Sequence, residues 1–439
     1  MKIIPLLMFL VWSIVLQAQQ PTIQFFRSYS KAGLNVFEPT KIDTIEFTGA
    51  KVRIGGNFTQ DFQRIGHQNN ATQVLDVNGV NKNQLIGLTN GFNRAMANLN
   101  IDVQLADGIR LNLTMYLSSR HHEETWVKGG FVQFDKLLFL KSATIDRIMK
   151  NVTIKIGDYE VDYGDQHFRR SDGGNSTYNP FVENYIMDEF ATEIGGEIYY
   201  HPVKGIIAML GVTNGELNPT IIAPTKIDSA TGRITKYSPA FHGKLGFDKQ
   251  LSKDLRARLT GSFYAVKSSA SNTLFFGDRT GSHYFFVMEN TLANATSNAF
   301  SGRYNPGYSQ QVFTFIINPF VKYRGLELFG TYEVARGRLI TEKTMRTATQ
   351  TAVDLIYRFP EGTENFWIGA RYNSVTSTLT ANQRDITINR SVGSLGWFLT
   401  RNVMLKAEYV SQKYKNFAAT DIRSEGKFNG LMIEASVGF

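Results

Sequence analysis

The chain contains no cysteine among its 439 residues. That excludes a disulfide framework, a cysteine-based metal site and a lipid-modified cysteine behind an export leader. After the first sixteen residues, no stretch approaches the roughly 18 consecutive apolar residues that a membrane helix needs. Mean hydropathy is −0.20. No block of like charge stands out, although 47 Lys and Arg outnumber 38 Asp and Glu. Charges scattered along the chain do not make a nucleic-acid footprint, so no nucleic-acid partner is expected. Asp172-Gly173-Gly174-Asn175 is turn chemistry, because no Lys-Ser/Thr follows it as a phosphate loop requires. His121, His122, Glu123 and Glu124 satisfy no ligand spacing, so no metal is expected. No Ser/His/acid set is in place, so neither an enzyme nor a cofactor is expected.

What is present begins with a leader. Lys2 precedes an apolar run from Ile3 to Leu16, and Ala18 is a small residue suited to cleavage. Residues 1–18 therefore read as a secretory signal peptide, and its removal with Lys2 takes the formal charge from +9 to +8. Residues 19–47 read as a periplasmic N-terminal segment. Beyond them the period is two. In Ile109–Ser118, Ile109, Leu111, Leu113, Met115 and Leu117 alternate with Arg110, Asn112, Thr114, Tyr116 and Ser118. Leu255–Tyr264 and Asp354–Phe359 repeat the pattern. Such segments of about ten residues suit tilted strands that cross a bilayer, and alternation hides them from bulk hydropathy.

About sixteen such segments can be placed, near 48–60, 97–107, 109–119, 126–135, 148–157, 190–201, 204–214 and 238–249, then near 254–268, 313–323, 325–337, 346–360, 363–376, 385–399, 402–414 and 426–439. Tight turns at Ala106–Gly108, Pro202–Val203, Gln250–Lys253, Arg324–Gly325, Pro360–Gly362 and Thr400–Asn402 alternate with longer loops at 61–96, 158–189, 215–237 and 269–312. The turn near Lys136–Arg147 is longer than this scheme expects. The sorting predicts an all-β, transmembrane antiparallel β-barrel over 48–439, with short turns on one side and loops on the other. Trp126, Trp367 and Trp397, with neighbouring Tyr and Phe, are expected in the two interfacial girdles. Alternation runs through Ile433, Ala435 and Val437 to Phe439, as in the C-terminal signal read by barrel-insertion machinery. Together these features place the protein in the Gram-negative outer membrane.

The stretch Ile154-Lys155-Ile156-Gly157-Asp158-Tyr159-Glu160, a long polar loop and then Glu193-Ile194-Gly195-Gly196-Glu197-Ile198 carry a family resemblance. With the barrel pattern and the terminal Phe, the mature chain resembles the porin superfamily, and specifically phosphate-selective O and P type porins as found in Bacteroidota. The resemblance implies a porin-like barrel whose third outer loop, 158–189, folds inward, with a homotrimer among the expected partner states. Members of that type line their channels with lysine and arginine arrays. Here the third and fifth loops offer only Arg169, Arg170, Arg279 and Arg303, so phosphate selectivity is not carried over.

The expected function is a water-filled channel for passive diffusion of small hydrophilic solutes or ions. The alternatives are a substrate-specific channel and a structural or assembly-partner barrel with a plugged lumen. The expected constriction comprises Asp158, Glu160, Asp162, Asp165, Arg169, Arg170, Asp172 and Glu183. With Asp188 and Glu189, the loop carries eight carboxylates against two arginines. Strand parity places Arg53, Arg110, Arg256, Arg258, Arg358, Arg371 and Lys406 on the lumen wall, because a Lys or Arg facing lipid at mid-depth costs about 2–4 kcal/mol. Phe439 is expected to serve barrel assembly. The expected partners are outer-membrane lipid, the insertion machinery and the permeating solutes.

Overall fold

A computed structural model describes residues 20–38, 41–119, 125–217, 221–278, 280–298, 300–379 and 385–439. The expected leader, His121, His122, Glu123, Glu124 and Arg279 lie outside them.

Sixteen antiparallel strands close into one barrel. In chain order they begin with β1 (Lys51–Gln68), β2 (Gly91–Ala106), β3 (Ile109–Ser118), β4 (Trp126–Phe134), β5 (Val152–Glu160), β6 (Thr192–Tyr200) and β7 (Ile206–Thr213). A two-residue hairpin, β8 (Ile227–Asp228) and β9 (Arg233–Ile234), stands apart in an outer loop. The barrel resumes with β10 (Ala240–Gln250), β11 (Leu255–Val266), β12 (Gln311–Tyr323), β13 (Leu326–Arg338) and β14 (Arg346–Phe359). It ends with β15 (Phe366–Ser377), β16 (Ile386–Phe398), β17 (Val403–Lys415) and β18 (Lys427–Gly438). Pairing of β1 with β18, from Asn57 opposite Gly438 to Gln68 opposite Lys427, closes the ring. Phe439 extends that seam: its N–H donates to Gly56 O at 2.9 Å, and Gly56 N–H returns a bond at 3.1 Å. The full ring leaves no sheet edge exposed to lipid.

Loops alternate in length as expected, which puts both described ends of the chain at the short-turn mouth. Asp107-Gly108 joins β2 to β3 with Gly108 at φ +73°, a conformation glycine adopts without a Cβ clash. A labelling test follows from this topology. Single cysteines at Thr231 and Ser297 should react with an impermeant maleimide on whole cells, and one at Lys253 should not. The reverse pattern would invert the barrel.

The first two strands are longer than the alternation suggests, so the first outer loop spans 69–90 rather than 61–96. Asp61 and Gln63 look like loop residues in sequence but are buried facing inward, while Arg64 points out. The tryptophans also depart from expectation. Trp126 lies opposite Tyr116, which is buried on the lumen side, and the two rings stack 6.3 Å apart. Trp367 points inward, and its indole N–H donates to Pro180 O at 3.1 Å. Trp397 faces out. It caps a stacked ladder in which Tyr357, Phe359, Phe366 and Trp397 follow one another at ring spacings of 5.7–5.9 Å. That ladder is the girdle at the turn side.

The lumen is not empty. The third loop (161–191), part of the fifth loop (267–310) and residues 20–38 pack inside the ring. Phe181, Ile186 and Tyr163 of the third loop join Tyr264, Tyr284, Ile316, Ile356 and Phe428 in an apolar core within the barrel. This core fills the side formed by β10–β18, so the remaining space is displaced toward β2–β6.

Candidate functional site: the lumen passage

Parity places the seven expected wall cations inside. Arg110 donates to Asp102 at 3.1 Å and to Gln133 at 3.0 Å. Arg256 holds Asp248 with two bonds of 2.8 and 2.6 Å. Arg371 clasps Asp354 at 2.7 and 2.8 Å. Arg358 bonds Glu327 at 2.9 Å, and Arg53 lies over the Phe26 ring at 4.9 Å. Lys406 donates to the carbonyls of Asn179 and Phe181 at 2.9 and 2.7 Å and pairs with Glu434 at 2.7 Å. Each is therefore held by the protein itself.

The expected constriction residues separate into two groups. Asp165, Arg169 and Glu183 anchor the third loop. Asp165 takes two 2.7 Å bonds from Arg258 and a third from Thr260. Arg169 bonds Glu327 at 3.3 Å, and Glu183 pairs with Arg303 of the fifth loop at 3.1 Å. Asp158, Glu160, Asp162, Arg170 and Asp172 instead line a cavity of about 370 Å³. Asp158 and Glu160 belong to β5 rather than to the loop. The same cavity is lined by Arg110, Lys128 and Lys155 of the wall and by Phe25, Arg27, Tyr29 and Phe37.

Electrostatics distinguish the lining acids. Burial alone would raise the Asp162 carboxyl, but Lys244 and His167 hold it down at about 2. Burial would lower His167, and its bonds to Asp162 and Glu160 outweigh that, leaving it raised. Burial pushes Asp172 up to about 6 against the pull of Lys128. Asp158 forms no ion pair or side-chain hydrogen bond among the described residues. Glu160 has His167 Nδ1 at 3.7 Å and no other ion pair among them. The cavity's cations are all engaged: Arg27 with the Gly33 and Phe168 carbonyls, Lys128 with Asp172 and Asp278, Lys155 with Glu197, and Arg170 with Asp188. Asp158 and Glu160 thus reach the cavity from β5, and Arg27, whose partners are neutral carbonyls, brings a cation to the same space.

The sequence reads 19–47 as a periplasmic N-terminal segment. The described part of this segment stays at the turn-side mouth but is tucked into it. Gln24 N–H donates to Gln104 Oε1 at 2.7 Å, and Tyr29 OH to Asp102 at 2.7 Å. Lys31 reaches Asn365 at 2.5 Å, and Asn35 reaches Glu327 at 2.6 Å. Glu38 accepts from Lys244 at 3.0 Å and Arg258 at 2.7 Å. The anchors visit β2, the β14–β15 turn, β13, β11 and β10 in turn, so the segment crosses the mouth.

No protein-family model matches the sequence, and no curated protein does. Solved structures do resemble the fold. OmpT, an outer membrane protein of Vibrio cholerae, superposes with TM-score 0.50 at 9% identity over 90% of this chain and 99% of its own. The outer membrane channel DcaP of Acinetobacter baumannii gives 0.50 at 12%, over 90% and 99%. OprB of Pseudomonas putida gives 0.52 at 8%, over 88% and 94%. The fold is that of the outer-membrane porins.

One further cluster is buried. Asp61 and Glu434, adjacent across the β1–β18 seam, both face His283 Nδ1 of the fifth loop, at 2.8 and 3.2 Å. Such a trio has ligands suited to a metal ion. Here Lys406 and a protonated His283 balance the two carboxylates, so the cluster works as a loop tether. Burial would lower His283, but Asp61 and Glu434 lift it to about 10. The sign follows: a folded-state pKa above the unfolded value of about 6.5 makes the tether fully stabilising below pH ~6.5. That stabilisation declines as pH rises and is lost through about pH 10. The melting temperature should therefore exceed that of His283→Gln at pH 6, with the gap closing by pH 10.5. A gap independent of pH would refute the charged tether.

Proposed function

We propose that this protein is an outer-membrane channel for passive diffusion of small hydrophilic solutes, with a narrow passage that prefers cations. The observation that carries this reading is the cavity between the third loop, residues 25–37 with Asp43 and Ile45, and the β2–β5 wall. Its lining includes Asp158, which has no ion pair among the described residues, while Arg110, Lys128, Lys155 and Arg170 are ion-paired with protein carboxylates and Arg27 is bonded to two carbonyls. A polar segment at membrane depth is tolerated where it lines water, and barrels of about 16–18 strands are wide enough to hold an aqueous channel. A field set by fixed lining charges is how such channels select.

The likeness of Ile154–Glu160 to phosphate-selective porins supports a finer reading as that type. The engagement of every cation around the cavity favours cation over phosphate passage within it. A homotrimer, outer-membrane lipid and the barrel-insertion machinery complete the proposed partners, with the Phe439–Gly56 seam as the element that insertion would complete. The filled lumen favours a second reading, a barrel plugged in its resting state.

Purified protein in planar bilayers decides the matter. We expect discrete conductance steps in potassium chloride and a reversal potential on the cation side in a salt gradient. Absence of steps from both the full chain and a chain lacking residues 24–38 would leave a structural barrel as the answer.

A further inference from the structure

The turn joining β4 to β5 is unlike the other short-side connections. It runs through residues 135–151 and contains a short helix, Ala143–Met149. Leu138, Phe139, Leu140 and Ile148 are all about half exposed or more, with Phe139 at 61%. Lys141, Arg147 and Lys150 are also exposed and form no ion pair among the described residues. The turn is nevertheless held in place. Met149 is buried, the Ser142 carbonyl accepts from Asp146 N–H at 2.9 Å, and His201 N–H donates to Asn151 O at 2.8 Å. A fixed scaffold thus presents four apolar side chains and three free cations together.

We propose that this turn is a membrane-surface anchor: it lies on the periplasmic leaflet, with its apolar side chains in the acyl boundary and Lys141, Arg147 and Lys150 on anionic lipid headgroups. The proposal rests on the membrane reading above. Continuity supports it. Gln133 and Asp135 point into the lumen, where they bond each other at 2.7 Å, so Val132 and Phe134 point to lipid. Lys155 likewise points inward, leaving Ile154 and Ile156 outside. The turn emerges from this lipid-facing patch, and its apolar residues extend it past the strand ends. Charge supports it too, because basic residues beside interfacial apolar ones bind anionic lipid surfaces, their stems lying along the apolar boundary. Exposed apolar groups of this size facing only water would be an association hazard.

The natural chain lacks cysteine, so single spin labels report one site each. The experiment places cysteine at Phe139, Ile148, Leu395 and Lys253, separately, in the full-length barrel reconstituted in vesicles of phosphatidylethanolamine with phosphatidylglycerol. Accessibility to oxygen is compared with accessibility to a water-soluble nickel chelate. Labels at 139 and 148 should follow the lipid-facing label at 395, with oxygen favoured several-fold over the chelate. The label at 253, on another short-side turn, should favour the chelate. In vesicles of phosphatidylcholine alone, the labels at 139 and 148 should shift toward the chelate. Labels at 139 and 148 that match the one at 253 overturn the anchor and leave the barrel reading intact. Dipolar coupling between labels at 139 on two copies also overturns it, assigning the surface to a second chain. If the label at 395 favours the chelate, the membrane reading itself has failed. Two label positions on the turn guard against one substitution that spoils folding.

Discussion

Deleting residues 24–38 is expected to raise single-channel conductance several-fold while leaving a closed, heat-modifiable barrel. The segment crosses the turn-side mouth, and most of its anchors reach inward side chains of the wall. Phe37 is buried against Phe320 and Phe329, with the Phe320 ring 5.4 Å away. Glu38 accepts from Lys244 and Arg258. None of the sixteen strands includes these residues, so barrel closure does not depend on them. A graded variant sharpens the test. Glu38→Gln removes a charged acceptor, but Lys244 keeps Asp162 and Arg258 keeps Asp165. The loss is then about 2 kcal/mol of docking, the value of a hydrogen bond to a charged group. That corresponds to roughly a thirtyfold change in the docked-to-undocked ratio. Single-channel records of Glu38→Gln should show excursions to the conductance of the deletion. Equal conductance in all three proteins would mean that the segment does not obstruct the path.

The barrel was legible in the sequence because lipid and water impose opposite demands on alternate residues. That alternation located all sixteen strands, and Arg258, Arg371 and Lys406, read as inward by the same parity, are buried. It failed where the demand lapses. Toward the outer mouth, Asp61, Gln63 and Arg64 continue β1 with Phe62 as the one outward apolar residue among them, packed on Phe92 of β2. Near the turn side, an inward Trp367 and an outward Trp397 look alike because the lumen there is itself apolar. The plug was illegible for a different reason. Gln24, Tyr29, Asn35 and Glu38 have no period, and their partners lie 73 to 292 residues away in sequence for Tyr29 with Asp102 and Asn35 with Glu327. The acids of the third loop were recognisable as a group. Their division into anchors and lining was not, since it depends on which wall cation each meets: Asp165 meets Arg258, 93 residues on. Parity alone could have found Lys155, between the outward Ile154 and Ile156.

That division sets the last prediction. Neutralising Asp158 and Glu160 together, by Asp158→Asn and Glu160→Gln, should shift selectivity and leave stability nearly unchanged. Asp158 has no partner to abandon, and Glu160 has only His167 at 3.7 Å. A carboxylate about 4 Å from a passing ion contributes roughly 1 kcal/mol in water before screening, favouring cations and opposing anions. After screening by salt, losing both should still lower the potassium-to-chloride permeability ratio several-fold, read as a reversal potential displaced toward anions. Asp165→Asn should do the opposite. Asp165 is fully buried beneath Arg258, Lys244 and Thr260, and removing one member of a buried charge cluster costs about 3–5 kcal/mol. The third loop should loosen, so melting temperature falls and current noise rises. The potassium-to-chloride ratio should move little, because Asp165 faces the wall rather than the passage. A selectivity shift in Asp165→Asn without loss of stability, and none in the Asp158 and Glu160 double variant, would place the constriction on the other side of the loop.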